Sequence, residues 1–412
     1  MRRDYCLGRA LAARFGSLIA TVVVSTCLVF AQSLTWLGTL PSTLTSSAVS
    51  VSADGSVVVG NSPDSNSIQG FRWTAATGIQ PIDYLLGYSA GGTANDVSND
   101  GSTIVGYAHN NIQTRAFRWT QATGTQDLGV LSSGSYNIAY GVSADGSVVV
   151  GESGGKAFRW TAATGMQNLG TLAQFGSSIA YDVSADGSVV VGSSTTASAL
   201  IHAFRWTAAT GMQDLGTLGG NHSRALGVSA DGSVVVGWAD VNNNGFRRAF
   251  RWTAATGMQD LGTFGGSQSE ARGASATGSV VVGRAQYFND NYRAFRWTPR
   301  TGMEDLNQAY WNLLTDGSYL TFAYAISPNG RYIVGVGYNA ARAYYGAFLL
   351  DTGVPYIDGD VNGSGCVDDA DLLRVLFAFG QTGFRLPEDL NGDQVVDDAD
   401  LLTVLFNFGS GC

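Results

Sequence analysis

A unit of 41 to 52 residues recurs seven times between Leu34 and Leu350, and this repeat constrains the fold more than any other feature of the sequence. Most copies contain variants of Val-Ser-Ala-Asp-Gly-Ser-Val-Val-Val-Gly, Phe-Arg-Trp-Thr-Ala-Ala-Thr-Gly and Met-Gln-Asp-Leu-Gly-Thr-Leu, in this order. The glycine of the first segment falls at Gly55, Gly101, Gly146, Gly187, Gly232, Gly278 and Gly330. Self-similarity at such a period predicts that each copy is one supersecondary unit stacked on its neighbours.

Each copy is predicted to form four short antiparallel strands. In the fourth copy we expect them at residues 181–184, 188–192, 202–207 and 212–218, where valine, threonine and aromatic residues are frequent. An Asp-Gly step and an Ala-Ala-Thr-Gly segment supply the tight turns. Seven sheets of four strands are typical of an all-β, seven-bladed β-propeller, which we favour over an open solenoid.

The two ends of the repeat region complement each other. The seventh copy has no fourth strand after Phe348, whereas residues 34–40, which precede the first copy, end in the Leu-Gly-Thr-Leu of a fourth strand. We therefore expect residues 34–40 to complete blade 7 and close the ring, because the blade would otherwise keep an open edge. The propeller is predicted to span residues 32–352.

Residues 1–31 have the pattern of a secretion signal. Four arginines precede an apolar stretch from Leu18 to Phe30, and Val29 and Ala31 are the small residues of a cleavage site. A membrane anchor is the alternative, although the apolar run is short. Cleavage would change the formal charge from −9 to −12, and so acidic a domain lacks the basic surface that nucleic acid requires. We expect a bacterial protein that is secreted or held at the cell surface, without a membrane span after cleavage.

A second, shorter duplication follows a linker at residues 353–357. Residues 367–380 and 396–409 are identical at 12 of 14 positions. Each copy overlaps a loop with oxygen ligands at positions 1, 3, 5, 7, 9 and 12 of an EF-hand, where position 7 uses its backbone carbonyl. The predicted ligands are Asp360, Asn362, Ser364, Cys366, Asp368 and Asp371 in the first loop, and Asp389, Asn391, Asp393, Val395, Asp397 and Asp400 in the second. One or two Ca²⁺ ions are therefore expected in residues 358–412.

Three further expectations concern this C-terminal segment. Gln394 stands at the sixth position of the second loop, where the first loop has Gly365, so the second turn is expected to be strained. Each loop leads into an apolar stretch predicted to be a helix, and the two helices are expected to bury these faces together. Cys366 and Cys412 are the cysteines left after signal cleavage, and export favours a disulfide between them.

Both regions resemble known families. The repeats, including the tripeptide His202-Ala203-Phe204, resemble those of the bacterial extracellular HAF-repeat family. This resemblance implies an exported propeller but no defined activity. Residues 358–412, with Asp at position 12 and one loop and helix per copy, resemble a type I dockerin. That resemblance implies calcium as the metal, a small α-helical domain whose two ends lie together, and a cohesin-like partner.

Residues that differ between copies are the better candidates for a ligand site. The Asp-Gly turns recur almost unchanged on one face of the disc, here called the turn face, and their aspartates and the arginine of Phe-Arg-Trp are expected to serve turns and within-blade pairing. The loops between second and third strands vary and define the opposite, variable-loop face. Its candidates for binding a glycan or a protein are Tyr107, His109, Trp238, Asp240, Tyr287, Phe288 and Tyr292. The alternative is that these aromatic residues only pack between loops.

Three functions remain open. We favour a non-catalytic binding or adhesion protein in which the propeller binds a polysaccharide, another glycan or a cell-surface protein. The first alternative is a polysaccharide-active enzyme, with Asp96, Asp182 and Asp240 as candidate acids, and the second is a structural component of the cell surface. The sequence has three histidines and lacks the motifs of a serine hydrolase, a zinc protease or a phosphate-binding loop. Carboxylates unique to the channel mouth would favour the enzyme.

Overall fold

The computed structural model describes residues 31–64, 67–131, 136–242, 245–288, 291–362, 364–383 and 386–411. The first 30 residues of the predicted signal therefore lie outside the described residues. The chain opens with β1 (Ser33–Gly38) and then builds three blades in sequence. Blade 1 contains β2 (Ser47–Val51), β3 (Val58–Pro63), β4 (Ile68–Thr74) and β5 (Gly78–Pro81); blade 2 contains β6 (Gly91–Val97), β7 (Thr103–His109), β8 (Thr114–Thr120) and β9 (Gly124–Asp127); blade 3 contains β10 (Asn137–Val142), β11 (Val148–Ser153), β12 (Lys156–Thr161) and β13 (Gly165–Asn168).

Four more blades follow before two C-terminal helices. Blade 4 contains β14 (Ser178–Val183), β15 (Val189–Thr195), β16 (Ile201–Thr207) and β17 (Gly211–Asp214); blade 5 contains β18 (Ser223–Val228), β19 (Val234–Asp240), β20 (Arg247–Thr253) and β21 (Gly257–Asp260). Blade 6 contains β22 (Gly265–Ala274), β23 (Val281–Tyr287), β24 (Tyr292–Thr298) and β25 (Gly302–Asp305). A short helix, α1 (Leu306–Ala309), and a 3₁₀ turn (Trp311–Leu313) then lead to blade 7. Blade 7 contains β26 (Tyr319–Ile326), β27 (Tyr332–Asn339) and β28 (Tyr344–Asp351). The C-terminal helices are α2 (Asp369–Ala378) and α3 (Asp398–Phe406). Within the described residues, no helix combines the length and the apolar character needed to cross a bilayer.

Seven four-stranded antiparallel sheets confirm the predicted seven-bladed propeller. In blades 1 to 6 the strands follow the order of the chain, whereas the seventh sheet has the order β1-β28-β27-β26. There β1 pairs with β28, with Leu34 opposite Leu350 and Trp36 opposite Phe348. The first strand of the propeller therefore joins its last blade and closes the ring.

Residues that recur in the repeat form the core of each blade. The phenylalanine of Phe-Arg-Trp, or Phe348 at the equivalent position of blade 7, is fully buried in every blade; the others are Phe71, Phe117, Phe158, Phe204, Phe250 and Phe295. The glycine that ends Val-Val-Val-Gly permits a close approach between strands. At Gly192, a Cβ atom would lie 1.9 Å from the carbonyl oxygen of Ile179 and 2.8 Å from the Phe204 ring, so a larger residue would push the first strand away.

Hydrogen bonds between blades run around the turn face. At six junctions a backbone N–H beside the Asp-Gly turn donates to the carbonyl of the next blade, as from Ala144 to Ala185 (3.1 Å) and from Ala276 to Pro328 (2.8 Å). At the seventh junction, between blades 7 and 1, Pro328 has no N–H to donate. Pairing of β1 with β28 holds this junction instead.

The repeated arginine also links blades. Its Nε donates to the glycine carbonyl of the next blade's Asp-Gly turn, from Arg118 to Gly146 (3.1 Å) and from Arg205 to Gly232 (3.2 Å). The side chain is long enough to span the junction between blades. The expected within-blade pairing is also present at Arg118, whose Nη2 donates to Thr103 Oγ1 (3.1 Å), and at Arg296, which contacts Glu304 (3.0 Å). The repeated aspartate does stabilise its own turn, since the Asp54 carboxylate accepts from Ser52 Oγ (2.7 Å) and Ser56 N (2.9 Å).

Candidate functional site

A β-bulge in the first strand of every blade places one unpaired residue on the central channel. In blade 3, Ala139 pairs with Gly151 and Gly141 pairs with Val150, which leaves Tyr140 between them without a cross-strand partner. The equivalent residues all line one cavity of about 360 Å³: Val49, Asn95, Tyr140, Tyr181, Leu226, Arg272 and Tyr324. The seven bulges thus repeat the same backbone geometry, while their side chains differ from blade to blade. A cavity of this size is in the range of small-molecule sites.

Two of the three carboxylates singled out in the sequence meet in this channel. Asp96 and Asp182 follow the bulged residues of blades 2 and 4 and line the same cavity. The Asp96 carboxylate accepts from Ser50 Oγ (2.6 Å) in blade 1 and from Val142 N (2.8 Å) in blade 3. The Asp182 carboxylate accepts from Val183 N (2.7 Å) and from Val228 N (2.9 Å) in blade 5. Both groups therefore tie neighbouring blades together.

The channel raises the pKa of both carboxyl groups. Burial raises the pKa of Asp96 to about 6, against the smaller, opposing effect of its hydrogen bonds. Burial, followed by repulsion from Asp96, raises the pKa of Asp182 to about 8. The third candidate, Asp240, lies apart at the end of β19, where it accepts from His222 N (3.1 Å) and lies 3.8 Å from Arg247 Nε.

The opposite wall of the channel mouth is cationic and aromatic. Arg272 Nε and Arg284 Nη2 contact the two oxygens of Glu270, at 2.6 and 2.9 Å. The Arg284 guanidinium lies over the rings of Phe322 and Tyr292, 4.6 Å from each centroid. No motif marks this cluster in the sequence, because its members come from blades 6 and 7 and only the register of the strands brings them together.

The predicted variable-loop residues are distributed over three blades rather than gathered in one surface. In blade 2, the Tyr107 and His109 rings lie side by side with centroids 6.4 Å apart. In blade 5, Trp238 is buried, and Arg247 covers its ring at 4.1 Å. Packing within the loops therefore accounts for Trp238.

In blade 6 the predicted residues also pack against neighbouring side chains, except Phe288. Tyr287 stacks on Phe264 (5.0 Å), and its hydroxyl donates to Asp305 (3.0 Å). Tyr292 donates to Gln268 Oε1 (2.8 Å). Only Phe288, among the predicted residues of this blade, is broadly exposed, at 86% of its surface.

The two C-terminal loops have equivalent internal geometry. In the first loop Asp360 accepts from the amides of Ser364 and Gly365, both at 2.9 Å. In the second, Asp389 accepts from Gly392 N (2.8 Å) and Gln394 N (2.8 Å). These bonds wrap each loop around its first carboxylate.

The position-12 residues anchor the loops to the helices. Asp371 and Asp400 are fully buried at the starts of α2 and α3. Each accepts from the position-3 amide, of Asn362 (2.9 Å) or Asn391 (3.1 Å). These carboxylates therefore tie the start of each loop to the first turn of its helix.

The second loop concentrates negative charge. Burial raises the pKa of Asp389 and of Asp400, and repulsion from the neighbouring Asp393 carboxylate raises both further. Gln394 adopts φ +74°, the left-handed conformation that glycine favours, as the expected strain requires. In the described part of the chain, no three His, Cys, Asp or Glu side chains form a closed metal cluster.

The remaining predicted calcium ligands lie on the same two loops. Asp393 Oδ1 accepts from Val395 N (2.9 Å), and Ser364 Oγ donates to the Cys366 carbonyl (2.9 Å). Asp368 and Asp397 cap α2 and α3, each accepting from the amide two residues on. Cys366 is disulfide-bonded; its expected partner, Cys412, lies outside the described residues.

The expectation that the two helices bury their whole apolar faces together is wrong. Only one side of each helix packs inward, through Leu372, Val375, Leu401 and Val404. The larger apolar side chains remain exposed in two matching sets, with Phe377 at 83% and Phe406 at 82%. The other members are Leu373, Leu376, Phe379, Leu402, Leu405 and Phe408. The helices are too short and too few to cover a second face.

The C-terminal segment contacts the propeller at blade 5. Gln259 Nε2 donates to the Gly392 carbonyl (3.0 Å), and Arg251 Nη1 donates to the Asn391 carbonyl (3.4 Å). Arg251 is the repeated arginine of this blade and also bonds Gly278 in the usual way, at 3.1 Å. Because the loop covers it, Arg251 is only 5% exposed. The second predicted calcium loop is therefore also the docking loop.

No protein-family model and no curated protein matches the chain. Among solved structures, it is similar to TolB from Acinetobacter baumannii, with 13% identity and a TM-score of 0.41 over 73% of this chain and 81% of that one. It is also similar to an oligogalacturonate lyase in complex with manganese (12% identity, TM-score 0.49, 77% and 92% covered) and to the hydrazine synthase of Kuenenia stuttgartiensis (11%, 0.47, 81% and 98%). Similarities at this level of identity and TM-score say nothing about the function of this chain.

Proposed function

We propose that this chain is an exported, non-catalytic binding protein. Its propeller binds a glycan, with a cell-surface protein as the other possible ligand, and its dockerin-like C-terminal segment binds calcium and attaches the propeller to a cohesin-like partner. The observation that carries the proposal is the pair of matching exposed apolar surfaces on α2 and α3. Soluble domains seldom expose such patches unless another surface covers them.

Calcium fits the second loop best. Burial, together with repulsion from the Asp393 carboxylate, raises the pKa of Asp389 and of Asp400, so a cation among these carboxylates would relieve their repulsion. Asn391 and the Val395 carbonyl would complete an oxygen set of the kind that Ca²⁺ prefers, with Asp397 at the position often filled through water. The ion would supply charge neutralisation and fix the loop; the first loop, with Ser364 for Asp393, has one carboxylate fewer.

Export and glycan binding rest on separate grounds. The pattern of residues 1–31 and the HAF-like repeats support export. Non-repeated aromatic and polar side chains on a rigid channel support a ligand site, because sugars are commonly held by aromatic faces and hydrogen-bonding groups together.

Glycan-array binding of the full chain, with and without a chelator, tests the proposal. We expect binding of at least one glycan class through the propeller, and capture by immobilised cohesin domains only when calcium is present. The Phe377→Ser/Phe406→Ser double variant should lose cohesin capture while keeping glycan binding. Absence of binding to every glycan and every cohesin would refute the proposed function.

A polysaccharide-active enzyme is the second candidate, and the channel carboxylates favour it. Asp96 and Asp182 have different raised pKa values in one cavity, a pattern found in acid–base pairs. Against this, both carboxylates are engaged by backbone N–H groups of neighbouring blades. Release of reducing ends or unsaturated products from any polysaccharide, abolished in Asp182→Asn, would establish the enzyme.

A further inference from the structure

The channel wall on blades 5 and 6 carries more guanidinium groups than carboxylates. Arg272 and Arg284 share Glu270, whose two oxygens are both occupied. A third arginine, Arg224, donates from Nη1 to Tyr181 Oη (3.3 Å), and no carboxylate of the described residues pairs with it. On these two blades three cationic side chains thus accompany one carboxylate, while the carboxyl groups that line the cavity, Asp96 and Asp182, lie on blades 2 and 4.

The guanidinium groups are held in place but remain reachable from solvent. Aromatic rings support them, with Phe322 4.6 Å from Arg284 and Tyr324 5.8 Å from Arg272. The Arg272 and Arg284 side chains are 38% and 36% exposed, against 13% for Glu270. Rings fix the orientation of these planar groups, so little side-chain entropy remains to be lost when an anion binds.

Tyrosine side chains of the central channel lie next to these arginines. The Tyr140 and Tyr181 rings are 5.4 Å apart, and both line the cavity together with Arg272 and Tyr324. Arg224 connects these two groups of side chains through the Tyr181 hydroxyl. Such an arrangement can hold a sugar ring against tyrosines while a group on the sugar meets an arginine.

We propose that the channel mouth on blades 3 to 7 binds a carboxylate-bearing sugar unit of an acidic glycan. The ligand carboxylate is received by Arg272 and Arg284, with Arg224 adding charge, and the sugar ring lies against Tyr140, Tyr181 and Tyr324. A planar carboxylate suits this site because a guanidinium offers two parallel N–H donors to its two oxygens. This inference rests on the proposed glycan binding and names its site and ligand class.

Calorimetric titration of the full chain tests the proposal with three probes of equal length. They are a linear uronic-acid trisaccharide, its carboxyl-reduced neutral counterpart, and that neutral trisaccharide carrying sulfate. We expect the uronate to bind at least tenfold tighter than the other two. Arg272→Gln and Arg284→Gln should each weaken uronate binding at least tenfold. Arg247→Gln is the matched control. It also removes a guanidinium group, but one that already lies beside the Asp240 carboxylate.

The outcomes separate this inference from the proposed function. Tighter binding of the neutral trisaccharide, or wild-type affinity in both Arg272→Gln and Arg284→Gln, would overturn the acidic-sugar site and leave glycan binding intact. Equal binding of the sulfated probe would overturn the assignment to a carboxylate. Binding of no probe here and of no glycan on the array would overturn both proposals. Melting curves of each variant identify any loss of folding, and Arg272→Lys, which keeps the charge, should retain more affinity than Arg272→Gln.

Discussion

Replacement of Arg251 by alanine should loosen the C-terminal segment from the propeller, and Arg205→Ala should not. Both arginines occupy the same repeat position and make the same bond to the next blade, to Gly278 (3.1 Å) and to Gly232 (3.2 Å). Only Arg251 also donates to the Asn391 carbonyl, at 3.4 Å. Arg205→Ala is therefore a matched control for the loss of the bond between blades.

The expected magnitudes follow from these contacts. Loss of the shared bond should lower the free energy of unfolding of the propeller by about 1.5–3 kcal/mol in both variants, because the donor is charged. Loss of the longer bond to Asn391 adds about 0.5–1.5 kcal/mol in Arg251→Ala alone, which corresponds to a roughly two- to tenfold weaker docking equilibrium. Gln259→Ala should act similarly through its bond to Gly392 (3.0 Å).

Hydrogen exchange measured by mass spectrometry reports the docking. Peptides covering residues 255–261 and 389–396 should exchange faster in Arg251→Ala than in Arg205→Ala, while urea unfolding of the propeller shifts equally in both. Identical exchange of these peptides in the two variants would refute the docking role of Arg251. Faster exchange in both would mean that the blade junction, not the contact with Asn391, controls the segment.

Three further predictions concern the ring, the channel and the second loop. Leu37→Ala should cost about 2–4 kcal/mol in urea unfolding, as much as Leu261→Ala at the equivalent buried position of blade 5; no loss in Leu37→Ala alone would mean that β1 does not close the ring. The pKa of Asp182 is raised to about 8 in the folded protein, so its carboxyl group contributes stability that is complete below about pH 4 and is lost as the pH rises to 8. In Asp182→Asn the free energy of unfolding should therefore fall less between about pH 4 and pH 8. An unchanged dependence of this free energy on pH would contradict the raised pKa. Gln394→Gly should relieve about 1 kcal/mol of strain at φ +74° and tighten calcium binding in a titration followed by melting temperature, whereas Gly365→Gln should weaken it; equal affinities would contradict the strain.

Most of the propeller could be predicted because its sequence repeats. Seven copies identify the strands by consensus, and the Leu-Gly-Thr-Leu shared by residues 34–40 and the fourth strands indicates how the ring closes. Strand ends were less predictable. In blade 4 the last strand ends at Asp214, although the apolar pattern continues to Leu218. Beyond Asp214, the Leu215 and Leu218 side chains pack against a core cluster shared with the adjacent blade.

The candidate site was only partly predictable. Aromatic residues in variable loops were natural candidates, yet Trp238 and Tyr287 pack against neighbours within their own blades. Arg272 and Tyr324 were missed because they belong to no recurring motif, and a one-residue shift in pairing decides whether a side chain faces the channel. The repeated alanine just before each bulge is the one signal that could have located them.

That alanine explains why the channel can vary while the blades do not. The residue before each bulge is fully buried in all seven blades, at Ala48, Ala94, Ala139, Ala180, Ala225, Ala271 and Ala323. The next residue has no cross-strand partner, so neither pairing nor core volume restricts its side chain. Selection for folding therefore fixes the alanine and leaves its neighbour free to change from Leu226 to Arg272 or Tyr324. A ring built in this way can acquire new ligand chemistry one blade at a time without altering the sheet that supports it.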